Sequence, residues 1–219
     1  MQGSGNLGIE IIHFKTTDST NLRAKELLKG GERVAPFCII ADKQTGGYGQ
    51  ARRPYYCPIG GLYMSLVLPE KEFQYKFSAG FAAVCVANVV SRIVTDGRKI
   101  TIKWVNDINL DDKKIGGVLI EKVGASFIIG IGLNLLQTEP VPTELEDRMG
   151  FIYDDGNITI TLHEFAEKII HELASKKLTD EETLAEYKRY CKIEGLNIDG
   201  SLTIVDANGE IVKKFDNLH

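Results

Sequence analysis

The chain has 219 residues and a mass of 24.3 kDa, enough for one medium domain with a modest appendage. Its 26 basic and 30 acidic residues leave a formal net charge of −4, which argues against a dedicated nucleic-acid-binding protein. Hydrophobic residues at 43% and charged residues at 26% exclude a largely disordered chain, and no apolar run reaches the roughly 18–20 residues of a membrane span. The first eight residues hold no basic segment followed by an apolar one, so no signal peptide is expected. Cys38, Cys57, Cys85 and Cys191 contain no C-x-x-C pair; they read as small core residues in a reducing cytoplasm. Glycine is the one compositional excess, at 22 residues against a background of roughly 7%.

Ile9 to Phe14 is β-branched and aromatic and predicts a strand. The polar run 16–21 offers several helix caps before a short amphipathic helix, Leu22 to Leu28, which Gly30 and Gly31 end. Phe37 to Ala41 is a compact apolar strand, and residues 42–61 form a long glycine- and arginine-bearing loop. Leu62 to Leu68 predicts a strand, and Tyr75 to Thr95 a helix with apolar residues at helical spacing. Ile100 to Trp104 is a further strand. Asp111-Asp112 turns into Ile115 to Val123, and Gly124-Ala125 turns into Ser126 to Ile131. Residues 139–155 hold six acids, one base and two prolines and read as a solvated connection. Thr161 with Glu164, and Thr179 with Glu182, are capping boxes for two helices, the second reaching about Tyr190. Leu202 to Val205 and Ile211 to Phe215, joined by Asn208-Gly209, predict a terminal hairpin. The pattern is α+β: a mixed, largely antiparallel sheet packed with helices, with a short β-type appendage.

Four segments carry candidate chemistry. The loop from Lys43 combines Gly46, Gly47 and Gly49 with Arg52 and Arg53, and no acid falls between Lys43 and Gly61. Glycines admit a ligand to the backbone and arginines supply forked donors, so the loop reads either as an anion cradle or as a surface turn. Lys103-Trp104-Val105-Asn106-Asp107 is followed by Lys114 and the pair Gly116-Gly117. Asn106 and Asp107 suit a hydrated magnesium ion or, equally, the polar tip of a hairpin. Ser19, Thr20 and Asn21 cap a helix and also present free N–H groups to a small polar ligand. Asn134 ends the run Gly130-Ile-Gly-Leu, as a turn residue or a ligand contact.

Taken in order, these segments resemble the catalytic domain of biotin protein ligases. That family carries S-T-N, Q-T-x-G-x-G-R-x-x-R-x-W, K-W-P-N-D, K-[IL]-x-G-[IV]-L-x-E and G-[IV]-G-[ILV]-N. Here they stand as residues 19–21, 44–55, 103–107, 114–121 and 130–134. The resemblance implies a catalytic domain over residues 1–190 of biotin/lipoate ligase-like fold, followed by a truncated small β-type segment over 191–219. It implies ATP-dependent formation of biotinyl-5′-AMP and transfer of biotin to a lysine of a carboxylase carrier domain. ATP and biotin would be substrates, with Mg2+. Lys114 and Arg53 would be catalytic. Ser19, Thr20, Asn21, Gln44, Gly47, Gly49, Gln50, Gly116 and Gly117 would hold biotin. Arg52, Arg53, Tyr55, Lys103, Trp104, Asn106, Asp107 and Asn134 would hold the nucleotide, with Asn106 and Asp107 meeting magnesium through the triphosphate. The expected setting is cytoplasmic, as a monomer or homodimer, with a biotin carboxyl-carrier protein as partner, no membrane and no nucleic acid.

The chain departs from the pattern at three positions. Gln50 replaces the loop's first arginine, Tyr55 replaces tryptophan and Val105 replaces proline. Losing a formal charge at residue 50 weakens the expected hold on carboxylate or phosphate. The rival on the same fold is a lipoate or octanoate ligase, whose R-R-x-[ST]-G-G-G motif is absent. A different class is a non-catalytic sensor of biotin or its adenylate.

Overall fold

The computed structural model describes residues 8–154, 156, 158, 160–205 and 211–214, with β1 (Glu10–Phe14), α1 (Thr20–Lys29), β2 (Phe37–Ala41) and β3 (Gly61–Pro69) in its first part. These are followed by α2 (Ser78–Ile93), β4 (Ile100–Lys103), β5 (Asp107–Leu110), β6 (Lys113–Val123) and β7 (Ser126–Asn134). Helices α3 (Leu162–Ser175) and α4 (Asp180–Tyr190) precede the strands β8 (Leu202–Val205) and β9 (Ile211–Lys214). Seven strands form one sheet in the order β1-β2-β3-β7-β6-β5-β4, parallel only between β1 and β2. The predicted turn Asn208-Gly209 and Phe215 lie outside the described residues.

The α+β expectation holds, and the local signals explain most boundaries. Ser19 is the N-cap of α1, so the helix starts two residues before Leu22. Asp111 and Asp112 take positive φ of 46° and 67°, the double left-handed pair that a tight hairpin between β5 and β6 needs. Both capping boxes form: Thr161 and Thr179 accept from the N–H groups of Glu164 and Glu182, whose carboxylates bond back. Helix α2 begins at Ser78, later than predicted, and is buried on nearly every side between the sheet and helices α3 and α4. Its one polar interior residue, Asn88, accepts from the Tyr190 hydroxyl at 2.6 Å and donates to Glu172 and Glu186. That network satisfies an amide that would otherwise be costly inside the layer.

The stretch 139–155 is not simply a solvated connection. After a short 3-10 turn at Thr143–Leu145 the chain returns to the sheet. Lys114 N–H donates to the Arg148 carbonyl at 2.7 Å and Gly150 N–H to the Lys114 carbonyl at 2.8 Å. Ile152 and Tyr153 N–H donate to Asn134 and Leu135, and the Ile152 side chain is buried. The strand ends at Lys114 and Asn134 leave backbone groups that need partners, and this segment supplies them while its described acids stay exposed.

The core lies in two layers. Met64, Leu66, Val118, Ile129, Ile131 and Leu133 face α2, α3 and α4, whereas Phe37, Ile39, Val67 and Ile128 pack with Ala24 of α1 on the opposite face. The C-terminal segment joins the first layer: Leu196 and Leu202 belong to that core, and the Trp104 indole N–H donates to the Gly200 carbonyl at 3.0 Å. Tyr187, fully buried on α4, donates its hydroxyl to the Val105 carbonyl at 2.8 Å. Tyr187→Phe leaves that buried carbonyl without a partner. It is expected to destabilise the fold by about 1–3 kcal/mol, read as a lower urea midpoint at unchanged m-value.

Candidate active site

The site follows from register. On the face that carries α1, the ladders align Lys103 with Asp107, Asp107 with Gly117, Gly117 with Gly132 and Gly132 with Tyr63. One row further along, Leu119, Gly130 and Ser65 stand side by side. Small residues at Gly117, Gly130, Gly132 and Ser65 therefore leave a shallow basin in the sheet. Its rim carries the chemistry.

Neighbouring side chains occupy the space that the glycines leave. A Cβ at Gly130 would overlap the Asn21 carboxamide, and one at Gly132 would overlap the Tyr55 ring. Gly117 faces Asp107 and the Lys114 stem. Gly116 points the other way, against the Gly132 carbonyl and Leu133, so it serves strand packing and does not line the basin.

At one end of the basin sits a polar cluster. Gln44 Oε1 accepts from the Thr20 N–H at 2.7 Å and from the Thr20 hydroxyl at 3.1 Å. Gln44 Nε2 lies 3.1 Å from Cys57 Sγ, and the Cys57 thiol donates to the Tyr55 carbonyl at 3.3 Å. Burial pushes that thiol up to about 12, and the Gln44 bond only partly offsets it, so Cys57 stays protonated. Ser65 Oγ lies 2.8 Å from Thr20 Oγ1 and 2.5 Å from Asn21 Oδ1. The cluster thus unites Thr20, Asn21 and Gln44, expected from sequence, with Ser65 and Cys57, which were not, while Ser19 beside it caps α1 through the Leu22 N–H. Ser65 is the one polar residue with its side chain buried in an apolar strand, and that was its readable signal.

At the other end are the charges. Lys114 Nζ makes an ion pair with Asp107 Oδ1 at 2.6 Å and lies 5.7 Å from the Tyr55 ring centroid. Burial drives the Tyr55 phenol well above its ordinary range, and its hydroxyl lies 3.4 Å from the Gly132 carbonyl. Asn106 donates its side-chain amide to the Val118 carbonyl, a bond that does not use its Oδ1. Val105 follows Trp104 through a cis peptide bond. Lys103 is exposed, and its side chain has no hydrogen bond or ion pair among the described residues.

Asn134 ends β7 with its side-chain amide turned to neighbouring backbone. Its Nδ2 donates to the Lys114 and Gly150 carbonyls at 3.3 and 3.1 Å, so its donor side anchors the backbone around Lys114. Among the described residues, its buried Oδ1 has no partner. Trp104 is likewise committed through its N–H to Gly200.

The glycine-rich loop folds over β6. Gly47 is packed against Cys57, Tyr55 and Gln44, whereas a Cβ at Gly49 would meet open space. Gln50, Arg52 and Arg53 form no side-chain hydrogen bond or ion pair among the described residues, but Arg52 stacks over Tyr48 at 4.3 Å. Residues 48–52 and 118–121 enclose, with Ala79, a cavity of about 150 Å³. Tyr48, Lys25 and Glu121 were missed by sequence reasoning. Asn21 and Lys25 lie one helical turn apart, and Glu121 alternates with Gly117 and Leu119, so their shared face was implicit.

Against this geometry the comparisons are decisive. The Biotin/lipoate A/B protein ligase family model matches residues 13–135, which is more than half of the chain. The chain belongs to that family. It is 25% identical to the biotin protein ligase from Aquifex aeolicus in complex with biotin and ATP, with a TM-score of 0.79 over 94% of this chain and 96% of that one. It is 27% identical over 225 residues to the bifunctional ligase/repressor BirA of Salmonella typhimurium, covering 95% of this chain and 65% of the relative. It is 31% identical over 126 residues to the biotin–[acetyl-CoA-carboxylase] ligase of Paracoccus denitrificans, covering 54% of this chain and 52% of the relative. The chain therefore spans between about half and two thirds of these curated relatives' length.

Glu121 gives a test of the electrostatics within this family member. Burial would raise its carboxyl, but bonds from Lys25, Asn21 and Tyr48 outweigh it and hold the group below the ordinary 4.5. A depressed folded-state value means stability that is present above the unfolded value and lost as pH falls through the folded one. Glu121→Gln is expected to be less stable than the parent at pH 7, with the difference shrinking below about pH 4.5, measured by urea unfolding across pH.

Proposed function

We propose that the protein is a biotin protein ligase. It joins biotin to ATP, releasing pyrophosphate, and passes biotin from the adenylate to a lysine of a carboxylase carrier domain. The observation that carries this reading is the basin itself. A glycine-floored surface with a Thr20–Gln44–Asn21 polar cluster at one end and Lys114 at the other suits a ligand with a polar head and a carboxylate tail. An apolar pocket with a few placed polar groups is the usual form of such sites.

The chemistry follows from charge. A carboxylate oxygen attacking the α-phosphorus is repelled by the triphosphate, so cations must neutralise both. Lys114 bridges carboxylate and phosphate by exchanging its Asp107 partner for the incoming oxygens, a reading that its one-third exposed ion pair supports. Arg53 and Arg52 on the loop add donors at the phosphate side, as do Tyr55 and Lys103 around the nucleotide. Gln44, Ser19 and Thr20 hold the head group, with Gly47, Gly49 and Gln50 covering it. Asn134 acts by fixing the strand at Lys114. In the second step the carrier lysine's amine attacks the acyl carbonyl, AMP leaves with the bonding pair, and the amine gives up a proton.

Asn106 Oδ1 and the Asp107 carboxylate fit a magnesium ion that keeps waters and meets substrate phosphates, since such sites use one or two protein oxygens. When bound, the ion neutralises triphosphate charge. A cytoplasmic setting and a carboxyl-carrier partner belong to the same proposal. Among the described residues, no helix is long and apolar enough to cross a membrane.

Incubation with labelled ATP, magnesium and biotin, lipoate or octanoate is expected to give adenylate with biotin alone. Adenylate from lipoate or octanoate overturns the assignment, and none from any acid favours a sensor. Lys114→Ala is expected to slow adenylate formation by roughly 100- to 1,000-fold. Gln50→Arg restores a charge facing the adenylate and is expected to slow its release about tenfold in a filter-retention assay.

A further inference from the structure

The carboxamide of Gln44 is held at both ends by groups from different parts of the chain. The Thr20 N–H can only donate, so the atom it meets at 2.7 Å is the Gln44 oxygen, and the nitrogen faces the other way. There Nε2 lies 3.1 Å from Cys57 Sγ. The Cys57 thiol commits its one hydrogen to the Tyr55 carbonyl at 3.3 Å, which leaves sulfur lone pairs for the Gln44 amide. The main chain repeats the link, since the Gln44 N–H donates to the Cys57 carbonyl at 3.2 Å.

The absence of a side chain at Gly47 admits this arrangement. A Cβ there would overlap Cys57 Sγ and would stand 3.0 Å from the Tyr55 carbonyl and 3.1 Å from Gln44 Nε2, the same three groups. The Tyr55 N–H donates to the Gly47 carbonyl at 2.9 Å and closes the ring of contacts. Cys57 is only 4% exposed, so water does not compete for the sulfur or for the amide facing it. An enclosed amide N–H that loses its acceptor is costly, even where that acceptor is as weak as sulfur. The thiol therefore does more here than fill space: it is a partner for one end of a site amide whose other end α1 holds.

We propose that Cys57 is a positioning residue that, with Thr20, locks the Gln44 carboxamide in one orientation before the ligand head group arrives. It acts through Gln44. A polar side chain already fixed in its bound orientation has less freedom to lose on binding, so the lock raises affinity without entering the reaction. The kinetic half of this proposal rests on the ligase reading; the geometric half does not.

Cys57→Ala removes the sulfur, whereas Cys57→Ser keeps a group that both donates and accepts. In the substrate-free protein, the NMR order parameter of the Gln44 side-chain amide is expected to fall below about 0.6 in Cys57→Ala and to keep its parent value in Cys57→Ser. The KM for biotin in adenylate formation is expected to rise about five- to tenfold in Cys57→Ala with kcat altered less than about twofold. Cys57→Ser is expected to bring that KM back to within about threefold of the parent. In a Gln44→Ala background, Cys57→Ala is expected to change KM less than about twofold, because its effect passes through Gln44. An unaltered order parameter in Cys57→Ala overturns the proposal, as does a KM effect that persists without Gln44 or that serine does not relieve. If the parent protein makes no adenylate from biotin, the ligase reading fails, and the order parameter alone still decides whether Cys57 holds the carboxamide.

Discussion

The position of β7 between β3 and β6 is the constraint on which the molecule depends. Nine residues of β7 pair with β3 and eight with β6, and both pairings are antiparallel and continuous. Because side chains alternate with a period of two, a one-residue slip of this strand would send every residue to the opposite face. The present register sends Ile129, Ile131 and Leu133 into the helical layer and Gly130 and Gly132 onto the α1 face. The apolar core and the ligand basin are thus two sides of one decision. Burial of the isoleucines enforces the register, and the register turns the glycines toward α1 and the loop, whose Asn21 and Tyr55 side chains fit against them.

Around this floor, charge is arranged in two separate pairs. Lys114 with Asp107 sits where strands β5 and β6 meet, and Lys25 with Glu121 sits where α1 crosses β6. The first pair is about one-third exposed on each side and lies in the open basin, so its lysine can exchange partners. The second is more enclosed and has further partners in Asn21 and Tyr48, which makes it a fixture. The same ion-pair chemistry is left open to an incoming group in one place and closed off in the other. The difference lies in burial and in the number of hydrogen bonds that each carboxylate receives.

Much of this was legible in the sequence because it rests on local rules. Thr161 and Thr179 announced their helices through capping boxes, and Asp111-Asp112 announced its hairpin. The ordered motifs around Ser19, Gln44, Asn106, Lys114 and Asn134 pointed to the family. What went astray depended on distant partners. The acidic stretch after residue 139 looked solvated because its composition reports its side chains, whereas its backbone pairs with Lys114 and Asn134. Gly116 and Gly117 looked equivalent, and only the alternation of the ladder separates a packing glycine from a basin glycine.

Tyr48, Lys25 and Glu121 mark the same boundary most sharply. In sequence they are a loop tyrosine, a helix lysine and a strand glutamate, separated by 23 and 96 residues from Lys25. None is informative alone, since an exposed charge or phenol is ordinary on any soluble chain. The sequence by itself determined most of the secondary structure and pointed to the family, because period, caps and short motifs act over a few residues. The tertiary structure alone decided which polar groups are shielded together and what Asn134 and Gly116 do. Desolvation and hydrogen-bond geometry arise only when distant segments meet.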